Sequence, residues 1–411
     1  MRTSILAIAA ASLAACSANG TTDNSMADSD PVAGDDAPTQ AARQVPVSEG
    51  SKVALADAPF TVEEMGNFDE PWGAEFMPGT DLLFITSKRG PVSFINVATG
   101  ERGSITDGLP EVDYGGQGGM GDIAFGPGWE EPMGQGGDLY LSWVEAGPGN
   151  SRGAVVGKGK LLCQSTDSCR LTGLEVLWRQ DKTEGRGHYS HRIHFSPDGQ
   201  YLFVTSGDRQ EQDPAQDTSN NLGAVLRLNL DGSAAEGNPM YDAGGSTAEI
   251  WSYGHRNLLG LDFAPDGRLW EIEMGPAHGD ELNLVERGLN YGWPERSYGD
   301  NYNGVPIPDH EPDDGYAQPA SYWDPATSPA SLLIYSGDLF AAWNGDALVP
   351  GLSGQELNWI DLDGDRAVTR TQYDFGARLR EVVQGPDGAL YILEDDRGDS
   401  DGTLLKLTPK N

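Results

Sequence analysis

The sequence predicts an all-β fold, a six-bladed β-propeller of four-stranded antiparallel sheets. Three observations carry this. Short apolar, β-rich runs alternate with turn residues, and no long stretch has the helical period. One phrase recurs: an apolar strand, then Pro-Asp-Gly or Pro-Gly, then a second apolar strand. It returns every few dozen residues at uneven intervals, which suits propeller blades and not a solenoid.

The copies run in order. Phe76-Met77-Pro78-Gly79 precedes Leu82-Leu83-Phe84-Ile85, and Phe125-Gly126-Pro127-Gly128 precedes Leu139-Tyr140-Leu141. Phe195-Ser196-Pro197-Asp198-Gly199 leads into Tyr201-Leu202-Phe203-Val204, and Phe263-Ala264-Pro265-Asp266-Gly267 into Leu269-Trp270. A degenerate copy covers 339–349, and Gly385-Pro386-Asp387-Gly388 before Leu390-Tyr391-Ile392-Leu393 gives the last. Gly after Asp supplies a positive φ for the hairpin turn without steric cost. Runs at 92–96, 225–229, 357–361 and 404–407 read as further strands of these units. The Gly/Pro/Asn-rich stretches 143–160, 209–221 and 293–330 read as loops that build a binding rim at one end of the channel.

Ahead of the repeats, Arg2 is followed by an apolar run over 5–15 that ends in Leu13-Ala14-Ala15-Cys16. This has the form of an export signal and is too short to span a bilayer. Leu-Ala-Ala-Cys resembles the bacterial lipobox, whose cysteine is lipidated and becomes the new N-terminus. Residues 1–16 are therefore read as a lipoprotein signal peptide. Residues 17–56, poor in large apolar groups, are read as a flexible tether, and 57–411 as the propeller domain. Ser17 after the cysteine favours sorting to the outer membrane, so the expected location is periplasmic and lipid-anchored.

Three cysteines are present, and lipidation of Cys16 leaves Cys163 and Cys169 flanking a turn-like stretch. In an exported protein these are expected to form a disulfide. No Cys-x-x-Cys-His occurs, so the chain has no c-type haem site. Electrons that it collects must leave through an external acceptor, a quinone or a cytochrome. The net charge of −36 argues against nucleic acid and anionic membrane surfaces as partners.

Three of the six histidines lie close together: His188, His191 and His194. On an extended strand His191 faces away from the other two, and those two stand roughly 20 Å apart, too far to share a zinc ion. Gly187-His188-Tyr189-Ser190-His191-Arg192-Ile193-His194-Phe195 is followed by Thr205-Ser206-Gly207-Asp208, Gly254-His255-Arg256-Asn257 and Glu273-Met274-Gly275-Pro276. In this order the segments resemble the soluble, pyrroloquinoline-quinone-dependent aldose sugar dehydrogenases, the glucose/sorbosone dehydrogenase family. The resemblance runs from about 68 to 409. Gly279-Asp280-Glu281-Leu282-Asn283-Leu284 and Asn290-Tyr291-Gly292-Trp293-Pro294 are among its most specific phrases.

The resemblance implies roles for particular residues. His188 matches the catalytic base and Asp208 the aspartate that fixes its tautomer. A histidine suits that place, because oxidising a sugar at C1 removes the hydroxyl proton as hydride leaves the carbon. Gln117, in Gly115-Gly116-Gln117-Gly118-Gly119, matches a glutamine at the ligand site. Arg256 and Asn257 match an Arg-Asn pair that lies against the quinone, and His255 is read as structural. Arg378 and Arg380 match an Arg-x-Arg pair that holds the cofactor carboxylates, and Trp323 matches a tryptophan at the rim. Gly275 and Pro276 match backbone-carbonyl ligands of Ca²⁺. The implied cofactors are pyrroloquinoline quinone and Ca²⁺, and the implied substrate is an aldose.

Three positions depart from the family pattern. Ser353 stands where a lysine usually pairs with the cofactor, Ala326 where a hydroxyl is common, and Gly187 where some members carry an acid. These lead to an expectation of weaker cofactor binding. Asp361-Leu362-Asp363-Gly364-Asp365 loosely resembles a calcium loop but lacks the EF-hand spacing, so it is read as a hairpin turn. Two other functions fit the fold: a metal-dependent lactonase, and a sugar-binding propeller without catalysis.

Overall fold

The computed structural model describes residues 46–129, 136–165, 167–398 and 400–410. The signal peptide and most of the tether therefore lie outside the described residues. The rest is built from antiparallel β-sheets that group into six blades.

The first strands of the blades are Pro71–Phe76, Met120–Phe125, Ser190–Phe195, Leu258–Phe263, Leu333–Ile334 and Leu379–Gln384. Each packs on the next, and the last packs on the first, so they form a closed ring around a channel. In five blades the recurring Pro-Gly phrase is the connection from this inner strand to the second strand. The ring is locked by its ends: Phe60–Asn67 pairs antiparallel with Thr403–Pro409 and completes the sixth blade. Ser51–Ala54 adds in parallel to Arg366–Asp374 at the edge of the fifth. Blades one and two are joined by a short parallel pairing of Ser104 with Ser168 and Ile105 with Cys169.

A blade cannot bury both its faces alone, so the core is divided among the junctions. Six apolar clusters occupy the six blade-to-blade contacts. Phe84, Phe125 and Trp143 lie between the first two blades, and Trp270, Leu282 and Ile360 between the fourth and fifth. Tyr391, Leu393 and Ile85 close the ring between the sixth blade and the first. Successive side chains point to opposite faces, so strands such as Met120–Phe125 and Asp280–Val285 are buried along their whole length, supplying two junctions at once.

One side chain ties the whole ring. Arg192, buried in the channel, donates to Asp122 Oδ1 at 3.1 Å, Glu381 Oε2 at 2.5 Å, the Leu259 carbonyl at 2.7 Å and the Ala330 carbonyl at 2.6 Å. Its guanidinium also lies 4.1 Å from the centre of the Trp72 ring. These partners belong to or adjoin the inner strands of the other five blades. Arg192 lines a cavity of about 360 Å³ where the inner strands end, and a second chamber of about 60 Å³, lined by Trp72 and His191, lies where they begin.

The fold departs from the sequence expectations in two places. Residues 143–160 are not a loop: Gly137–Ala146 and Arg152–Ser165 are long paired strands with a tight turn between them. In blade five the inner strand is Leu333–Ile334, ahead of 339–349, and a short 3₁₀ turn over Ala341–Trp343 replaces the Pro-Gly hairpin. There Phe340 stacks on Trp343 at 4.7 Å. The stretches 209–221 and 293–330 do run mainly as loops, pinned to each other by the buried contact of Ala215, Trp293 and Ile307. Asp361–Asp365 holds the hairpin turn between Glu356–Asp363 and Arg366–Asp374, as expected. Cys163 and Cys169 are joined in a disulfide.

Candidate active site

The site lies at the chamber where the inner strands begin. Ser190 opens the inner strand of blade three, and His188 immediately precedes it. Asp208 follows the neighbouring strand Tyr201–Ser206, which runs back antiparallel. Both residues therefore emerge at the same end of the channel. His188 Nδ1 meets Asp208 Oδ1 at 2.6 Å, with Asp208 fully buried. The second carboxylate oxygen accepts the indole N–H of Trp293 at 2.8 Å, and the Gln210 amide donates to the first at 2.9 Å.

The backbone here is held in an uncommon form. Six of the ten non-glycine residues with positive φ among the described residues are His188, Ser190, His191, Arg209, Gln210 and Gln212. They flank the histidine–aspartate pair on both strands, and such strain concentrates where neighbours over-determine a geometry. Gly207 is required beside it, because a Cβ there would strike the His188 carbonyl. The positive φ values also overturn simple alternation. His191 is not turned away from the site: it stacks on Trp72 at 5.0 Å, meets Ser142 Oγ at 2.8 Å and lines the same cavity as Gln117.

Charge states follow from burial and partners. Burial pulls the His188 imidazole below its ordinary value, against the hydrogen bond from Asp208, so the ring is neutral near neutral pH. Burial alone would raise Asp208, but the bond and charge of His188, the Gln210 amide and the Arg256 charge together outweigh it, and its carboxyl lies below the usual range. With Nδ1 donating to an ionised Asp208, the open lone pair of His188 is on Nε2.

The other expected residues gather around this pair. Gln117 Oε1 accepts the His188 amide at 2.6 Å. The Asp208 amide donates to the Arg256 carbonyl at 2.8 Å, which couples the Arg-Asn pair to the aspartate. Asn257 Oδ1 accepts from Ser190 Oγ at 3.4 Å. Buried Arg256 Nε and Asn257 Nδ2 have no hydrogen-bond partner among the described residues. Such donors are costly unless a ligand accepts from them.

Arg256 Nη1 donates to the Met274 carbonyl at 2.8 Å and the Gly275 carbonyl at 2.5 Å, and Pro276 is buried beside them. A guanidinium thus covers the Gly275 carbonyl that the family resemblance gives to calcium. Calcium there must share that oxygen with Arg256 or displace the guanidinium from it.

Arg378 and Arg380 converge on one carboxylate, Asp395, at 3.0 Å and 2.9 Å, and Arg397 reaches it at 3.3 Å. Gln117, Arg380, Arg397 and Lys88 line a cavity of about 60 Å³ with Trp72 and His191. Spare N–H donors and several cations around one acid suit a planar polyanionic ligand.

Trp323 is the exception. It is 1 % exposed, its indole N–H donates to Asn358 Oδ1 at 2.9 Å, and its ring lies in the core between blades four and five. It belongs to the fourth strand of its blade, Ser321–Trp323, and its side chain points into the blade junction. The rim reading of Trp323 is therefore corrected to a structural one, and the neighbouring Asp324 side chain is the exposed group. Trp293, Asp395, Arg397 and Lys88 were not found from sequence. Only Trp293 stood in a phrase that marked it.

The chain as a whole is similar to known proteins. The glucose/sorbosone dehydrogenase family model matches residues 68–406. The aldose sugar dehydrogenase YliI of Escherichia coli is 34% identical over 367 residues, covering 87% of this chain and 96% of that protein. Quinoprotein glucose dehydrogenase B of Acinetobacter calcoaceticus is 25% identical, covering 87% and 95% of the two chains. A crystal structure of a glucose dehydrogenase superposes with a TM-score of 0.78 at 36% identity, covering 85% of this chain and all of that one. The chain belongs to the glucose/sorbosone dehydrogenase family, a family of oxidoreductases.

Proposed function

We propose that this protein oxidises the C1 hydroxyl of an aldose to a lactone, with pyrroloquinoline quinone as cofactor and His188 as general base. The observation that carries this is the buried His188–Asp208 pair, neutral on the imidazole and ionised on the carboxyl, at the mouth of a donor-rich chamber. When bound, the quinone supplies the acceptor for the hydride that leaves C1. His188 Nε2 takes the hydroxyl proton as that hydride departs. Asp208 holds Nδ1–H, fixes the tautomer and stabilises the imidazolium that forms. Trp293 and the Gln210 amide keep Asp208 in place and ionised.

The protein's own donors fit the cofactor. Arg256 Nε and Asn257 Nδ2 are free to meet ring oxygens, and Arg380 and Arg397 offer guanidinium edges to carboxylates. Gly275 and Pro276 would offer backbone carbonyls to Ca²⁺, a Lewis acid toward the ring. The lactonase reading is disfavoured because the carboxylates that line the channel are engaged: Asp122 and Glu381 by Arg192, Asp262 by His194, and Glu75 by the Phe125 amide. We further propose that Cys16 carries the lipid, that the enzyme works in the periplasm, and that an external quinone or cytochrome removes the electrons. Reconstituting purified protein with the quinone and Ca²⁺, then following dye reduction by aldoses, tests the activity. Lactone hydrolysis without quinone would replace it.

A further inference from the structure

Lys88 is a charge that the catalytic account leaves unused. It follows the second strand of blade one, Leu82–Ser87, and the residue is only 8 % exposed. Its ammonium donates to the Gly116 carbonyl at 3.0 Å and stands 5.7 Å from the Tyr114 ring. Among the described residues no carboxylate lies within 4.0 Å of it, whereas Lys158, Lys160, Lys182 and Lys406 each have one. An ammonium offers three donors, and one is used.

The surroundings sharpen the imbalance. Lys88, Arg380 and Arg397 line one cavity, and the two nearby acids are already engaged: Glu70 with Arg89, and Asp395 with Arg378, Arg380 and Arg397. Burial, with Arg397 and Arg380 close by, pulls the Lys88 ammonium below its ordinary value. Two buried cations, Lys88 and Arg380, converging with the exposed Arg397 on one cavity are unexpected in a chain of net charge −36 unless an anion completes the cluster. Ser353 cannot supply the missing charge: its hydroxyl is engaged with Ser328 Oγ at 2.7 Å and the Ala326 carbonyl at 3.2 Å. Its neighbour Leu352, however, lines the cavity that Lys88 enters.

We propose that Lys88, with Arg380 and Arg397, binds a carboxylate of the cofactor, so that the ammonium holding this ligand comes from blade one. The inference rests on the quinone reading above. The partner is a carboxylate because the cavity, at about 60 Å³, offers cationic donors and admits a small anionic group of a larger ligand.

The test is a fluorescence titration of cofactor-free protein with pyrroloquinoline quinone at saturating Ca²⁺, paired with melting curves. A second probe, benzene-1,2,4-tricarboxylate, carries the carboxylates without the quinone. Lys88→Met should weaken quinone binding about tenfold to a hundredfold, and Lys88→Arg should keep most of it. The cofactor-free Lys88→Met protein should melt no lower than wild type, because an unpaired buried charge has been removed, while its stabilisation by quinone shrinks. If wild type binds quinone and Lys88→Met binds it equally, Lys88 is not a ligand. A lower melting point in cofactor-free Lys88→Met with unchanged quinone affinity would make it structural. If wild type binds the tricarboxylate through Lys88 but not the quinone, the functional reading falls and the anion site stands. If it binds neither, both fall.

Discussion

Asp208 divides its two carboxylate oxygens between His188 Nδ1, at 2.6 Å, and Trp293 Nε1, at 2.8 Å. The aspartate is thus fixed from two directions, by a histidine 20 residues before it and a tryptophan 85 residues after it, and the imidazole it orients has one tautomer available. Replacing His188 with Ala should lower dye reduction by roughly 10²–10⁴-fold with quinone affinity little changed. Asp208→Asn, which keeps the shape but presents the wrong partner to Nδ1, should cost about as much. Turnover and quinone titration measured on the same samples check both. Full turnover in His188→Ala would remove the base assignment.

The pH profile has a defined sign. The active form of His188 is the neutral ring, and burial pulls its pKa below the ordinary histidine value of 6.5. The acid limb of kcat/KM should therefore have its midpoint below 6.5, and activity should persist into mildly acid solution. Trp293→Phe removes one donor that keeps Asp208 ionised and oriented, and should lower kcat by about tenfold. An acid limb well above 6.5 in the wild type would contradict the neutral-base account.

Asp395 links the anion-binding arginines to acid stability. Burial opposes its charge, but Arg380, Arg397 and Arg378 together outweigh burial and hold it at about 2, against an ordinary aspartate value of 3.8. A depressed carboxyl contributes stability that is present above its unfolded pKa and is lost as pH falls through the folded one. The window is therefore about 4 down to 2, and the contribution above it is roughly 2 kcal/mol, an upper figure for this partly hydrated site. Asp395→Asn should lower the melting temperature at neutral pH and flatten its fall between pH 4 and 2. It should also leave three guanidiniums uncompensated, so quinone should stabilise the variant more than wild type.

Much of the fold was legible because the Pro-Gly phrase sits between an inner strand and its neighbour in five blades, where turn chemistry and apolar patterning agree. The fifth blade was misplaced because a 3₁₀ turn held by Phe340 and Trp343 carries no such signature. Residues 143–160 were read as a loop because glycines at 147, 149, 153, 157 and 159 hide two strands. Several of these glycines lie where a Cβ would press on Trp143, Leu171 or the opposite backbone. His188, Asp208 and Gln117 were found through motifs and do meet. The orientation of His191 was not legible, because alternation assumes extended φ values and Ser190 and His191 have positive ones. Trp323 and Asp324 illustrate a further limit: adjacent residues divide between core and rim, and only packing shows which goes where. Lys88 and Arg397 come from distant loops, and no local pattern unites them.

The N-terminal proposal is tested separately. Cys16→Ser should abolish incorporation of labelled fatty acid and release the protein from the membrane fraction. Equal label in mutant and wild type would contradict lipidation at Cys16.

The central claim is that this site moves hydride from an aldose to a bound quinone with His188 taking the proton. Single-turnover spectroscopy tests it most directly. Protein loaded with pyrroloquinoline quinone and Ca²⁺ is mixed with an aldose in the absence of any external acceptor, and the cofactor absorbance is followed. The account predicts stoichiometric conversion to the reduced form in wild type, and conversion slowed by at least about 10²-fold in His188→Ala with the cofactor still bound. A loaded wild-type protein whose quinone stays oxidised with every aldose offered, or a His188→Ala protein that reduces it at the wild-type rate, would contradict it.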